Sequence, residues 1–132
     1  MRPVQLLALL LAVGCAEAPA QNNEAAPQPA APGAGREAEQ QAIMERIERD
    51  VRLPEGASAL ASYSRAYAWQ ERGDGVRKVI AFYENLTGER PGRRWVTERD
   101  FPVIMDGGCG VISLSYDVAA QRIEHVSCNG EG

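Results

Sequence analysis

Residues 16–35 restrict the folded part of this chain more than any other feature does. The stretch consists almost entirely of Ala, Pro, Gln, Asn and Gly. Such a composition buries too little apolar surface to offset the entropy that is lost when a segment becomes ordered. We therefore expect a disordered tether here, followed by a single folded domain over residues 36–132. A domain of this size has only a modest core.

Residues Arg36–Val51 have the pattern of an amphipathic helix. The segment contains strong helix formers and neither Gly nor Pro, and Ile43, Ile47 and Val51 recur at a spacing of four. Charged side chains occupy the other face. The segment Leu53-Pro54-Glu55-Gly56 favours the end of the helix, because the residue before a proline disfavours the α conformation. One narrow apolar stripe is typical of a helix that packs on a sheet.

Four later segments alternate between apolar and polar residues, as β-strands do. These segments are Tyr63–Trp69, Val76–Tyr83, Val111–Tyr116 and Arg122–Cys128. Turn residues at 71–75 and at 117–121 join them in pairs, which predicts two hairpins. The first segment also fits helical spacing through Leu60, Tyr63 and Tyr67, so a helix is the alternative there. A further short strand at Arg94-Trp95-Val96 is also considered.

The first fifteen residues resemble a bacterial lipoprotein signal. Arg2 supplies a positive charge, and Val4–Val13 form an apolar stretch that is too short to span a bilayer. Gly14 then precedes Cys15, as in the lipobox of bacterial lipoproteins. The resemblance implies a signal peptide over residues 1–14 and a lipid on Cys15. The alternatives are a plain cleaved secretory signal and a structural role for Cys15.

The lipobox resemblance also implies a location. The lipid would attach the chain to a membrane through Cys15 and make residues 15–35 a tether. Because Ala16 follows the cysteine, the resemblance implies retention in the outer membrane of a Gram-negative host, with the domain in the periplasm.

A lipid on Cys15 also determines what is expected of the other two cysteines. If Cys15 carries lipid, Cys109 and Cys128 remain, and two thiols in an oxidising periplasm are expected to form a disulfide. Two reduced cysteines, buried or reactive, are the alternative. If the two cysteines stand directly opposite each other, Leu114 faces Ile123.

The predicted fold class is α+β. We expect one N-terminal helix packed on a small antiparallel sheet of about four strands, with the C-terminal hairpin closed by a disulfide.

Few residues indicate chemistry. The formal net charge of −4 argues against nucleic acid as a partner. His125, the only histidine, falls on the same strand face as Ile123 and is expected to be half-buried. The Asp106-Gly107-Gly108 segment lacks the spaced oxygens of a calcium loop. We therefore predict no catalytic residue, no metal and no cofactor, and a protein that is not an enzyme.

One cationic segment suggests an interaction patch. It comprises Arg90, Arg93, Arg94, Trp95 and Arg99 in an otherwise acidic chain. Arginine and tryptophan are favoured at interfaces and beside phosphate or carboxylate groups, so an anionic envelope component or an envelope protein is the predicted partner. The alternative is a solvated arginine loop with Trp95 in the core.

The C-terminal part resembles small, uncharacterised exported proteins of alphaproteobacteria. The resemblance is carried by Arg94–Val96, Asp100–Ile104, Asp106–Cys109, Tyr116-Asp117 and Cys128–Gly130. It implies a disulfide-containing domain in the cell envelope and no known activity.

Two functions are therefore predicted. The first is a non-enzymatic binding or accessory module of the envelope, anchored to the outer membrane. The alternative is a small periplasmic inhibitor or ligand-binding protein, which would present Trp95 or the Asp106–Gly110 turn to its partner.

Overall fold

The computed structural model describes residues 33–70, 75–86, 88 and 90–130. In chain order the elements are α1 (Ala34–Asp50), a 3-10 turn (Leu60–Ser62), β1 (Ser64–Trp69), β2 (Lys78–Glu84), β3 (Gly92–Trp95), a second 3-10 turn (Glu98–Asp100), β4 (Gly108–Asp117) and β5 (Arg122–Asn129). The predicted signal, Cys15 and most of the predicted tether lie outside the described residues, as do residues 71–74 of the first predicted turn.

The five strands form one mixed sheet, in the order β3-β1-β2-β4-β5. The pairs β1–β2, β2–β4 and β4–β5 are antiparallel, as expected. β3 corrects the prediction of about four antiparallel strands, because it adds a fifth strand that is parallel to β1. Glu84 at the end of β2 and Gly92 at the start of β3 both pair with Ser64. β3 therefore starts at the end of the sheet where β2 stops, and it must run in the direction of β1.

α1 lies on one face of the sheet and buries its apolar stripe. Ile43, Ile47 and Val51 are buried together with Met44, in one cluster with the inward residues of the strands. Full burial of a side chain of this kind contributes about 1.5–3 kcal/mol. The predicted helix is confirmed, and it begins at Ala34, slightly before the predicted start.

A disulfide joins Cys109 and Cys128 across the C-terminal hairpin, as predicted. The two residues are not directly opposite in the ladder, because β4 is irregular between Gly108 and Ile112, and Cys128 pairs with Ile112. Such a bulge adds unpaired residues to one strand and bends it.

The predicted register of this hairpin is wrong. Leu114 pairs with Val126 and not with Ile123. A second irregularity leaves Glu124 without a partner opposite, so that His125 moves to the face away from α1. His125 is exposed there, and the expectation that it shares a face with Ile123 is corrected.

The chain between β3 and β4 crosses the face of the sheet away from α1. The ring of Phe101 stacks on Phe82 of β2, with centroids 5.9 Å apart. Further along, the amide of Asn129 in β5 donates to the Ile104 carbonyl at 2.6 Å. This connection therefore crosses the second face between β2 and β5.

A hydrogen-bonded tyrosine core joins α1 to the sheet. Tyr67 and Tyr83 are fully buried, with hydroxyl oxygens 3.0 Å apart, and Tyr67 donates to Glu48 of α1 at 3.0 Å. The guanidinium of Arg65 donates to the same carboxylate oxygen at 2.8 Å. Burial raises the pKa of Tyr83 to about 12 and raises that of Tyr67 as well. Both phenols therefore remain protonated donors above pH 10, where an exposed tyrosine would begin to ionise.

A third buried tyrosine secures the disulfide. The hydroxyl of Tyr63 donates to the carbonyl of Cys109 at 2.6 Å and accepts from the backbone N–H of Ser58 at 3.0 Å. We call this region, consisting of Ser58, Tyr63, Cys109 and Cys128, the disulfide end. No buried side-chain nitrogen or oxygen among the described residues lacks a hydrogen-bond partner.

Candidate functional site

A cleft of about 590 Å³ lies at the other end of the sheet from the disulfide. The rings of Trp69 at the end of β1 and Trp95 at the end of β3 line it, with centroids 5.2 Å apart and planes inclined by 56°. They are the only two tryptophans in the sequence. We call the site the tryptophan cleft, and its lining residues are Arg36, Gln40, Trp69, Trp95, Val96, Thr97, Glu98 and Asp100.

The parallel pairing of β3 with β1 creates this cleft. It sets Trp95 opposite Tyr67, whose side chain points toward α1. Trp69 lies two residues further along β1 and therefore on the same face. Both indoles are half-buried, whereas Tyr67 beside them is fully buried.

The first turns of α1 form one wall of the cleft. Arg36 and Gln40 are four residues apart and therefore lie on the same side of the helix. Gln41, the next residue, is exposed and does not line the cleft. Arg36 offers hydrogen-bond donors, and Gln40 offers both a donor and an acceptor.

The second 3-10 turn forms the opposite wall. Thr97 donates to Oδ2 of Asp100 from its backbone N–H at 3.0 Å and from its hydroxyl at 2.8 Å. These hydrogen bonds, the backbone one first, hold the pKa of Asp100 below its usual range. Asp100 is therefore a fixed, ionised acceptor, and Glu98 beside it adds a second, half-buried carboxylate.

Arg77 of the segment before β2 lies over the ring of Trp69, with its guanidinium carbon 4.1 Å from the ring centroid. It also donates to both carboxylate oxygens of Glu39 on α1, at 2.7 and 3.0 Å. The hydrogen bond lowers the pKa of Glu39 and raises that of Arg77. This pair therefore lies against Trp69 from outside the cleft lining.

A smaller cavity of about 200 Å³ lies between α1 and the turn after β4. Arg46 on one side donates to Gln121 on the other at 2.6 Å. Cavities that bind small ligands usually measure about 300–1,000 Å³, so the tryptophan cleft is the better candidate.

The structure does not bring the five residues of the predicted interaction patch onto one surface. Arg93 and Arg94 are neighbours in β3, and neighbouring side chains of a strand point to opposite faces. Arg93 lies on the α1 side, 3.3 Å from both Glu45 and Glu48. Arg94 donates to Ser64 on the other face.

The remaining patch residues are also separated. Arg90 and Arg99 lie in exposed positions before and after β3, whereas Trp95 lines the tryptophan cleft. Trp95 thus packs against the core and also faces a cavity, which combines features of both predicted alternatives.

The only histidine lies outside both cavities. His125 is exposed on the edge strand β5, where its Nε2 is 2.9 Å from the hydroxyl of Ser127. Among the described residues, no group of three or more His, Cys, Asp or Glu side chains is placed to hold a metal ion.

Sequence patterns missed most of the cleft. The sequence patterns place Trp69 in a strand and Arg36 and Gln40 in a helix, and they indicate no functional role for these residues. The available signal was that each tryptophan lies in a predicted strand, Trp69 at its end and Trp95 in its middle. The parallel pairing that joins the two strands is not encoded in local alternation.

Comparison of the chain with protein-family models, curated proteins and solved structures gives no match. Within the described residues, no helix is long and apolar enough to cross a membrane. Function therefore has to be inferred from the cleft and from the N-terminal signal that the sequence predicts.

Proposed function

We propose that the protein is a lipid-anchored, non-enzymatic binding module of the cell envelope, and that the tryptophan cleft is its ligand-binding site. The observation that carries the proposal is that both tryptophans of the chain line a single cavity. Tryptophan is enriched at binding sites because its large, rigid ring gives much contact area for little conformational entropy. Of the two predicted roles, the cleft favours ligand binding.

The cleft is also prepared for binding before a ligand arrives. Trp69 and Trp95 stand on paired strands, and Arg77 lies over the first of them. The capping contacts of Thr97 with Asp100 fix the opposite wall. A site whose side chains are already ordered loses less entropy on binding.

The lining residues favour binding over catalysis. A general acid at neutral pH needs a carboxyl whose pKa is raised, whereas the pKa of Asp100 is lowered by Thr97. His125, the usual kind of general base, lies on the edge strand away from the cleft. These features support a site that holds its ligand without transforming it.

The envelope location is supported by the sequence signal at Cys15 and by the disulfide. Disulfides persist in oxidising compartments such as the periplasm. A tether over residues 15–35 would keep the domain within about 70 Å of the membrane. The cleft would then have access to ligands in the nearby envelope.

The binding site can be tested with 5-fluorotryptophan in the purified full-length protein. Two fluorine signals are expected, because the chain has two tryptophans, and Trp95→Phe assigns them. The protein is titrated with a panel of candidate ligands: neutral disaccharides, inorganic phosphate, choline and short fatty acids. We expect at least one class to shift both signals in a saturable way and to be recovered unchanged. Failure of every class to shift them, or chemical conversion of the bound compound, would contradict the proposal.

The anchor can be tested by metabolic labelling with radioactive palmitate in a Gram-negative host. Wild-type protein should be labelled and should sediment with the outer membrane. Cys15→Ser should abolish the labelling, whereas the matched variant Cys109→Ser/Cys128→Ser should keep it. A labelled, membrane-bound Cys15→Ser protein would refute lipidation at this residue.

A further inference from the structure

We infer that the tryptophan cleft binds a neutral saccharide. This inference rests on the proposed function, because it names the chemistry that the same site accepts. It depends on the combination of two inclined indoles with hydrogen-bonding groups of both kinds around them.

The indoles suit the apolar faces of pyranose rings. Such a ring has a C–H face, which packs on an aromatic surface, and a rim of hydroxyl groups. The planes of Trp69 and Trp95 are inclined by 56°. Because the ring centroids are only 5.2 Å apart, the two indoles pack on each other and form one angled aromatic surface. A puckered ligand can follow such a surface, whereas a flat aromatic ligand would stack on only one of the rings.

The walls suit the hydroxyl rim. A hydroxyl group both donates and accepts, so it is best satisfied where donors and acceptors are close together. Arg36 and Gln40 provide donors on the α1 wall, and Asp100 provides an acceptor on the other. Both capping contacts from Thr97 are made to Oδ2 of Asp100. Oδ1 of the same carboxylate can therefore accept from a ligand.

The charges around the cleft disfavour ligands with a strong charge of either sign. An anion would lie near the carboxylates of Glu98 and Asp100. A cation would lie near Arg36. Unfavourable pairing of this kind is how binding sites reject competing ligands. The volume of about 590 Å³ is in the range of sites for small molecules.

The test uses purified full-length protein titrated with cellobiose, N,N′-diacetylchitobiose, inorganic phosphate and choline. Tryptophan emission reports on the cleft alone, because both tryptophans lie in it. We expect a saturable change with at least one disaccharide, with a Kd on the order of 1 mM or tighter, and none with phosphate or choline at about ten times that concentration.

Matched variants locate the binding. Gln40→Ala should weaken disaccharide binding by about threefold to tenfold, as the loss of one hydrogen bond does. Gln41→Ala, on the adjacent exposed residue, should leave the affinity unchanged. Trp95→Ala should weaken binding by about tenfold or more, measured by calorimetry because this variant loses one fluorophore.

The outcomes separate this inference from the proposed function. Saturable binding of phosphate or choline with no response to either disaccharide would overturn the saccharide inference and leave the cleft as a binding site. The same would follow if Gln40→Ala and Gln41→Ala bound the disaccharide equally well. Absence of binding by all classes, including the fatty acids of the wider panel, would overturn the proposed function as well.

Discussion

The two ends of the sheet use aromatic residues of the same strand face in opposite ways. At the disulfide end, Tyr63 is fully buried and its hydroxyl is hydrogen-bonded to the backbone on both sides of it. At the tryptophan cleft, Trp69 and Trp95 are half-buried and border a cavity. The buried Tyr63 offers no aromatic surface to a ligand. The half-buried tryptophans keep part of their aromatic surface accessible. One end of the sheet is therefore closed by hydrogen bonds and a disulfide, and the other is the end where we propose that a ligand binds.

Between the two ends of the sheet, a network around Glu48 connects α1 to the strands. Glu48 of α1 accepts from Tyr67 and from Arg65, and its second oxygen lies 3.3 Å from Arg93. This network attaches the helix to β1 and β3. It also holds in place the helix whose first turns form one wall of the cleft.

Truncation of Tyr63 should have the largest effect on the free energy of unfolding. Tyr63→Ala should lose about 3–5 kcal/mol, as large aromatic truncations in a core do. Trp95→Ala, at a half-buried position, should lose only about 1–2 kcal/mol. Urea unfolding followed by circular dichroism measures both. Equal losses would break the contrast between the two ends.

Removal of the disulfide should have the next largest effect. The sequence separation of its cysteines is 19 residues, and closing a loop of this length contributes about 3 kcal/mol by restricting the unfolded chain. Cys109→Ser/Cys128→Ser should therefore lower the urea midpoint while the tryptophan emission spectrum of the folded state stays unchanged. An altered native spectrum would show that the two ends are coupled.

Alkaline pH should destabilise the tyrosine core. The folded-state pKa of Tyr83 is raised to about 12 by burial, against about 10 in the unfolded chain. A raised folded-state pKa gives stability that is complete below pH 10 and is lost as pH rises toward 12, here about 2 kcal/mol from this residue. Tyr67 acts in the same direction.

Unfolding free energies measured across that pH range test this. The loss should be smaller in Tyr83→Phe than in wild type. A wild-type stability that stayed constant up to pH 12 would contradict the buried, protonated state of these phenols.

Arg77→Leu should have the smallest effect on stability. Its guanidinium is largely exposed, and a cation–π contact at such a site contributes about 0.5–1 kcal/mol. The variant should change the emission of Trp69 because the charge over its ring is gone, with little change in urea midpoint. A large loss of stability would mean that the cleft, like the disulfide end, is part of the structural core.

The sequence predicted the elements better than their arrangement. The stripe of Ile43, Ile47 and Val51 predicted α1, and strand alternation predicted the first hairpin, because both patterns arise from local geometry. β3 was considered only as a short extra strand, since Arg93 and Arg94 break apolar alternation and its parallel partner lies far away in the chain. The parallel pairing, and with it the cleft, depends on that long-range contact.

The C-terminal hairpin shows the same limit. Its strands and its disulfide were predicted, but the register was wrong because irregularities in the ladder shift every later pair. The register at Cys128 and the face of His125 both changed for this reason. The alternation of Val111–Tyr116 does not indicate that β5 has an extra residue, Glu124, within this pairing.

The central claim, that the open end of the sheet is the ligand site, is tested most directly by the indole N–H signals of Trp69 and Trp95 in a nitrogen-15 correlation spectrum. The full-length protein is titrated with the tightest-binding compound of the panel. We predict that both indole signals shift and saturate with the same Kd, while the backbone amides of Cys109 and Cys128 stay in place. Two stationary indole signals, with shifts instead at the disulfide end or at the exposed Val103 and Met105, would contradict the claim.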